Sequence, residues 1–168
     1  VETPTQIGIR QSRQIVGEAT LTGDDIVNGK KYKDGVARGS WWIDIHCPRG
    51  FVKGGVHLCY SGCPMKDCYM HTEHRKELVD ALYPPKGDWY DIRYGTLVPK
   101  KINNLLASGR CISATHEAMA GARVMGTCLA IGEATGIAAA LSVSTKVSPR
   151  ELDVEELRQT LIADGALV

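Results

Sequence analysis

The side chains that could move a proton, hold an anion or bind a metal are scattered along the chain. Asp44 and His46 stand two apart in Ile43-Asp44-Ile45-His46. On a strand they share a side, as a carboxylate must to orient an imidazole for general-base work; a structural, hydrogen-bonded histidine has the same spacing. His116 lies in a polar run rich in small residues, where it serves either as a proton donor and substrate contact or as a structural group. Arg10 and Arg13 carry planar donor forks suited to a carboxylate. Three apart on a strand they point to opposite faces unless a bulge or turn intervenes. Each is therefore either a cavity group or part of a solvated face. Cys59, Cys63, Cys68 and His71 are the densest soft ligands. Their separations fall within the zinc range, but the whole pattern matches neither a knuckle nor a ribbon. Free or redox-labile thiols are the preferred reading, and no metal is assigned.

The elements that must position these groups centre on residues 103–141. The apolar run Leu105-Leu106-Ala107 before Ser108-Gly109 predicts a buried strand ending at a tight turn. From about Arg123 small and apolar residues recur at helical spacing, with Val124, Thr127, Cys128, Ile131, Thr135, Ala138 and Ala139 on one face. Gly126, Gly132 and Gly136 interrupt that helix, each at roughly 1 kcal/mol relative to alanine, so close approach to the backbone must compensate. Residues 110–122 form the loop between strand and helix. Such a unit aims free helix N–H groups at an anion or an electron-rich ring.

The rest of the chain reads as support. Residues 7–16 predict an irregular strand, and residues 36–45 and 89–98 two further strands. Thr22 followed by Asp24 and Asp25 predicts a short capped helix stopped by Asn28-Gly29. Val154, Leu157, Leu161 and Ile162 give the stripe of a helix over residues 154–163, with Gly165 at its C-cap. At 168 residues, 43% hydrophobic and 23% charged, the chain suits one soluble globular core. A net charge of +1 gives no electrostatic case for nucleic acid or an anionic membrane. No run supplies the roughly 18 unbroken apolar residues of a membrane span. Cys111 and Cys128 are expected to be small hydrophobes, and cysteine usage favours a reduced, cytoplasmic setting.

The segment NLLASGRCISATHEAMAGARVMGTCLAIGEATGIAAAL resembles the C-terminal flavin-contacting part of the FAD-dependent oxidoreductases of the fumarate-reductase-like and glucose-inhibited-division-like superfamily. The likeness continues through GIRQSRQIVGEATLTGDDI, VARGSWWIDIHCPRG, YDIRYGTLVPKKINNLLASGR and SPRELDVEELRQTLIADGA, which together cover most of the chain. It implies an α/β fold, the C-terminal part of an FAD/NAD(P)-binding Rossmann-like flavoprotein with part of its β-rich substrate domain. Residues 1–98 would belong to the substrate (cap) domain and residues 99–168 to the FAD-binding domain. The cofactor implied is FAD. Gly109 and Arg110 would lie near the ribityl chain, although many relatives carry an acid where Arg110 stands. Gly121 and Ala122 would permit close approach, and the N–H groups of Arg123, Val124 and Met125 would face the pyrimidine end. Arg10 and His116 would face a small-molecule substrate, and His46 joins them as a catalytic candidate through its spacing from Asp44. No G-x-G-x-x-G follows a strand, so the resemblance also implies a missing N-terminal FAD-binding half as partner, with the isolated fragment inactive. A homo-oligomer is left open. Two other classes stay in view, a small Cys/His metal-binding module and a noncatalytic subunit that retains the fold.

Overall fold

The computed structural model describes residues 9–44, the strand backbones at 51–52 and 55–56, and residues 82–168. His46 and the cluster of Cys59, Cys63, Cys68 and His71 lie outside the described residues.

Local chemistry starts the fold at α1 (Gly23–Val27). Thr22 caps it, accepting from the Asp25 amide, while the Asp25 carboxylate accepts from the Thr22 backbone in return. The chain then enters β1 (Gly35–Gly39). After a short hairpin of β2 (Phe51–Val52) and β3 (Gly55–Val56), β4 (Tyr90–Arg93) pairs antiparallel with β1. Gly39 sits opposite Tyr90, where a side chain would run into the phenol ring at 2.4 Å. The glycine therefore makes the pairing possible.

Three helices complete the described chain: α2 (His116–Ala122), α3 (Met125–Thr145) and α4 (Val154–Ala163). α3 lies across β1 and against α4, and α1 meets α2. Leu21, Ile26, Tyr90, Ile92, Met119, Ile131, Leu157 and Leu161 are fully buried in one core that draws on all of these elements. Asp153 caps α4 by accepting from Glu155 and Glu156, and Gly165 follows at φ 89°, as expected of a C-terminal glycine.

Three sequence expectations change. Residues 105–107 are no strand: Leu105 is exposed, and the ladder is reduced to one bond from the Ala107 amide to the Leu97 carbonyl. Residues 9–16 are likewise irregular, with a bend at Arg10 and an isolated bridge from Gly17 to Pro99. The long helix opens at Met125, two residues beyond Arg123, because α2 occupies the expected loop and the Arg123 amide still donates to the Met119 carbonyl as its C-cap. α3 is long and apolar enough to cross a bilayer by length and composition alone. In this fold Thr127, Ile131, Ala134, Ala138 and Ser142 are its buried face.

Candidate functional site

The N-terminus of α3 is open. Val124 caps it without a side-chain bond, and the amides of Met125, Gly126 and Thr127 meet no acceptor among the described residues. Unsatisfied amides at the positive end of a 21-residue helix favour negative charge. They edge a cavity of about 400 Å³ walled by Arg38, Ser40, Trp41 and Val124. A side chain at Gly126 would meet nothing within 4 Å, and Met125 is 84% exposed. Planar groups can therefore reach this backbone.

Beside that cavity, residues distant in sequence converge. Arg10 donates from Nη2 to the Asp44 carboxylate at 2.6 Å. Arg123 donates to the Asp44 carbonyl at 2.7 Å, and its Nη2 stands 3.9 Å from the same carboxylate. Burial pushes the Arg123 guanidinium down from its ordinary value, as does Arg10, while Asp44 opposes the shift. The group stays charged, since arginine does not deprotonate in proteins. Asp44 thus fastens the segment around Arg10 to the turn before α3. Sequence reading considered Asp44 only as a partner for His46; nothing local signals a meeting across 79 positions.

The segment 9–16 is tied along the turn at Gly109–Cys111 by the Ile15 amide on the Cys111 carbonyl and by Arg110 on the Ile9 carbonyl. The bend at Arg10 supplies the turn that sequence reading required, and Arg10 and Arg13 line one cleft together with Arg110. Gly109 holds φ 64°, which suits glycine, and open space lies where its side chain would be. Cys111 is exposed and donates its thiol to the Ser108 carbonyl, contrary to the expectation of a buried hydrophobe. Cys128 is half-buried, and burial pushes its thiol up.

His116, at the first position of α2, is exposed, with Nδ1 2.7 Å from Gln11 Oε1. A relay orients it. Gln14 Nε2 donates to the Ile112 carbonyl, so its Oε1 accepts from Gln11 Nε2, which leaves Gln11 Oε1 to accept from the imidazole. In the neutral ring Nδ1 then carries the proton and Nε2 keeps its lone pair, the state a base needs.

Gly121 and Ala122 do not reach this surface. Both are buried, and a side chain at Gly121 would lie 2.8 Å from Ile26 Cδ1 and 3.1 Å from the Trp41 carbonyl oxygen. Their small size serves the packing of α2 on α1 and β4. Read as part of the loop before the long helix, they are instead the last two residues of α2, which Thr115 as a cap and Glu117 in the first turn could have signalled. A cavity of about 700 Å³ lies at the far end of α3 near Ser142 and Lys146. Its walls among the described residues hold Lys146 but no acid or imidazole. Among the described residues no three His, Cys, Asp or Glu side chains group as metal ligands.

A family model described as FAD dependent oxidoreductase matches residues 1–161. No curated protein and no solved structure matches the chain.

Proposed function

The chain belongs to the FAD dependent oxidoreductase family and FAD is its cofactor; from that premise we propose that α3 presents its N-terminus to the pyrimidine end of the flavin, with the substrate on the side of Arg10 and His116. One observation carries the proposal: the open amides of Met125, Gly126 and Thr127 edge an accessible cavity at the positive end of a long helix. The residues present fit the group, since Gly126 leaves the approach clear and the backbone donors match the carbonyl oxygens of a pyrimidine ring. When bound, FAD supplies the hydride or electron chemistry, and the protein supplies position and electrostatics.

The chain's own residues would divide the work as follows. The helix N-terminus stabilises negative charge at the ring edge. Gly109 and Arg110 border the ribityl side. Val124 flanks the ring, whereas Arg123 acts through its side chain on Asp44 rather than through its amide. His116 takes or gives a proton at Nε2, and Arg10 orients the substrate while held by Asp44. His46, which lies outside the described residues, is kept as a candidate base on its sequence spacing from Asp44 alone.

Replacing Gly126 with Val in the flavin-loaded protein tests the placement. A β-branched side chain there meets open space in this fold, so stability should change by no more than about 1 kcal/mol. Flavin occupancy should nevertheless fall, or the flavin reduction potential shift downward. Unchanged occupancy and potential would remove α3 from the flavin site.

A further inference from the structure

We propose that Arg38 brings a positive charge to the flavin's pyrimidine edge, beside the amides of α3, and that the Trp89 ring and the Val168 carbonyl position it. The inference rests on the flavin placement above and adds a side chain of β1 to a site built there from helix backbone.

Arg38 stands in the wall of the same cavity of about 400 Å³ that the first residues of α3 edge. Because α3 lies across β1, strand and helix bring a cation and open amides to one opening. The side chain is held at two points. Its guanidinium carbon lies 3.9 Å from the centroid of the Trp89 ring, and Nη2 donates to the Val168 carbonyl at 2.7 Å. Such a stack suits a planar, weakly hydrated cation.

No carboxylate takes up this guanidinium. Asp91 stands opposite Arg38 in the β1–β4 pair, yet it accepts from the Tyr32 amide and the Trp89 indole. Asp88 accepts from Lys31 at 3.0 Å. Among the described residues Arg38 makes no ion pair and one hydrogen bond, although a guanidinium has five donors. Its Nε is buried without an acceptor. An unpaired buried donor is destabilising, more so on a charged group, and methionine could cover Trp89 without that penalty. Packing therefore does not account for an arginine here. A need for charge at the cavity does, since local rules of polar satisfaction are broken chiefly at functional sites. The magnitudes agree: a helix end contributes only about half an elementary charge, so a full charge on Arg38 is the larger of the two.

Sulfite reads this charge without turnover, because it adds to N5 of oxidised flavin, leaves negative charge on the pyrimidine ring and bleaches the visible absorbance. In the flavin-loaded protein, Arg38→Gln should weaken sulfite binding by about tenfold, as loss of a charged hydrogen bond implies. The flavin reduction potential should fall by about 30 mV, the same factor for a two-electron couple. Arg38→Lys should keep most of both. Arg38→Met, which retains an unbranched chain over Trp89, should fold about as stably as the parent and lose as much as Arg38→Gln. Trp89→Phe and Trp89→Leu both remove the indole N–H, but only the leucine removes the ring face, so only the leucine should weaken sulfite binding, by about threefold. Parent-like sulfite affinity and potential in Arg38→Met, or an equal loss in Arg38→Lys and Arg38→Gln, would overturn the proposal. If Gly126→Val acts and Arg38→Gln does not, this inference fails and the flavin placement stands. The reverse result would strike α3 from the flavin site and leave Arg38 beside the ring.

Discussion

Two helices of this chain carry glycine for opposite reasons. In α2, Gly121 is enclosed: Ile26, the Trp41 carbonyl and the Tyr90 hydroxyl all stand within 3.2 Å of where its Cβ would be. In α3, Gly126 and Gly136 face open space, and Gly132 meets only the Ser108 hydroxyl at 3.9 Å. These glycines lie on or beside a bare stripe. Met125, Leu129, Gly132, Gly136, Ala139 and Val143 follow one another at alternating intervals of four and three, and all are exposed. The difference separates two uses of a small residue. Gly121 is explained by the chain's own packing, whereas the glycines of α3 weaken their helix with no contact inside the described fold to offset it.

The sharpest way to break this comparison is to fill the enclosed site. Gly121→Val must push on backbone at Trp41 as well as on the movable end of Ile26, so it should destabilise the chain by about 3 kcal/mol. Denaturant midpoints would measure it. A loss below about 1 kcal/mol would mean that α2 can shift, and that the enclosure is looser than its distances suggest.

The enclosed side also depends on one buried carboxylate, which makes it sensitive to acid. Burial pushes the Asp25 pKa up, but the Tyr32 hydroxyl at 2.7 Å, the Thr22 amide and hydroxyl, and Lys30 outweigh that effect and hold it below its ordinary value. The same bond pushes the Tyr32 phenol up to about 12. Because the folded-state value of Asp25 lies below the unfolded one, its stabilisation is complete above roughly pH 4–5 and is lost as pH falls through the folded value. Asp25→Ala removes the cap and the charged bonds together and should cost about 2 kcal/mol at neutral pH, with a smaller difference from the parent protein in acid. Urea titrations at several pH values would show it. A difference that does not shrink below pH 4 would assign the loss to packing.

The same contrast explains what could be read in the sequence. α1 and α4 were legible because their signals are local: Thr22 with the acids that follow it, and the apolar stripe of Val154, Leu157, Leu161 and Ile162 with Gly165, act within a few residues. The strand expected at residues 105–107 was not, because an apolar run looks the same whether it pairs along its length or makes a single bond to Leu97. α2 was missed because its histidine and glycine resemble loop composition, and Gly121 is tolerated there only through contacts with α1, β4 and Trp41. The shift of the long helix follows from that omission, since α2 holds the Arg123 amide. In the candidate site, side-chain chemistry singled out Arg10, Arg13 and His116, and the family resemblance chose Arg10 and set His116 on the substrate side. The link from Arg10 through Asp44 to Arg123, the Gln14–Gln11 relay and the exposure of Cys111 arise only when residues far apart in sequence meet.

The smallest effect gives the finest test, and it lies on the bare helix. Gly136 is in the interior of α3, exposed, and distant from both helix ends. Alanine there restricts the unfolded chain and meets nothing in the folded one, so Gly136→Ala should stabilise the 168-residue chain by roughly 0.5–1 kcal/mol. A glycine retained at that cost makes sense if another backbone approaches α3 in the flavin-loaded protein, because small residues let helices and strands come close. In that state the added methyl would meet a surface, and the gain should vanish or become a loss. Thermal midpoints of parent and variant, compared for the chain alone and for the flavin-loaded protein, separate the cases. Equal stabilisation in both would show that the stripe stays uncovered, and the exposure of Leu129 and Val143 would then be the ordinary state of this surface.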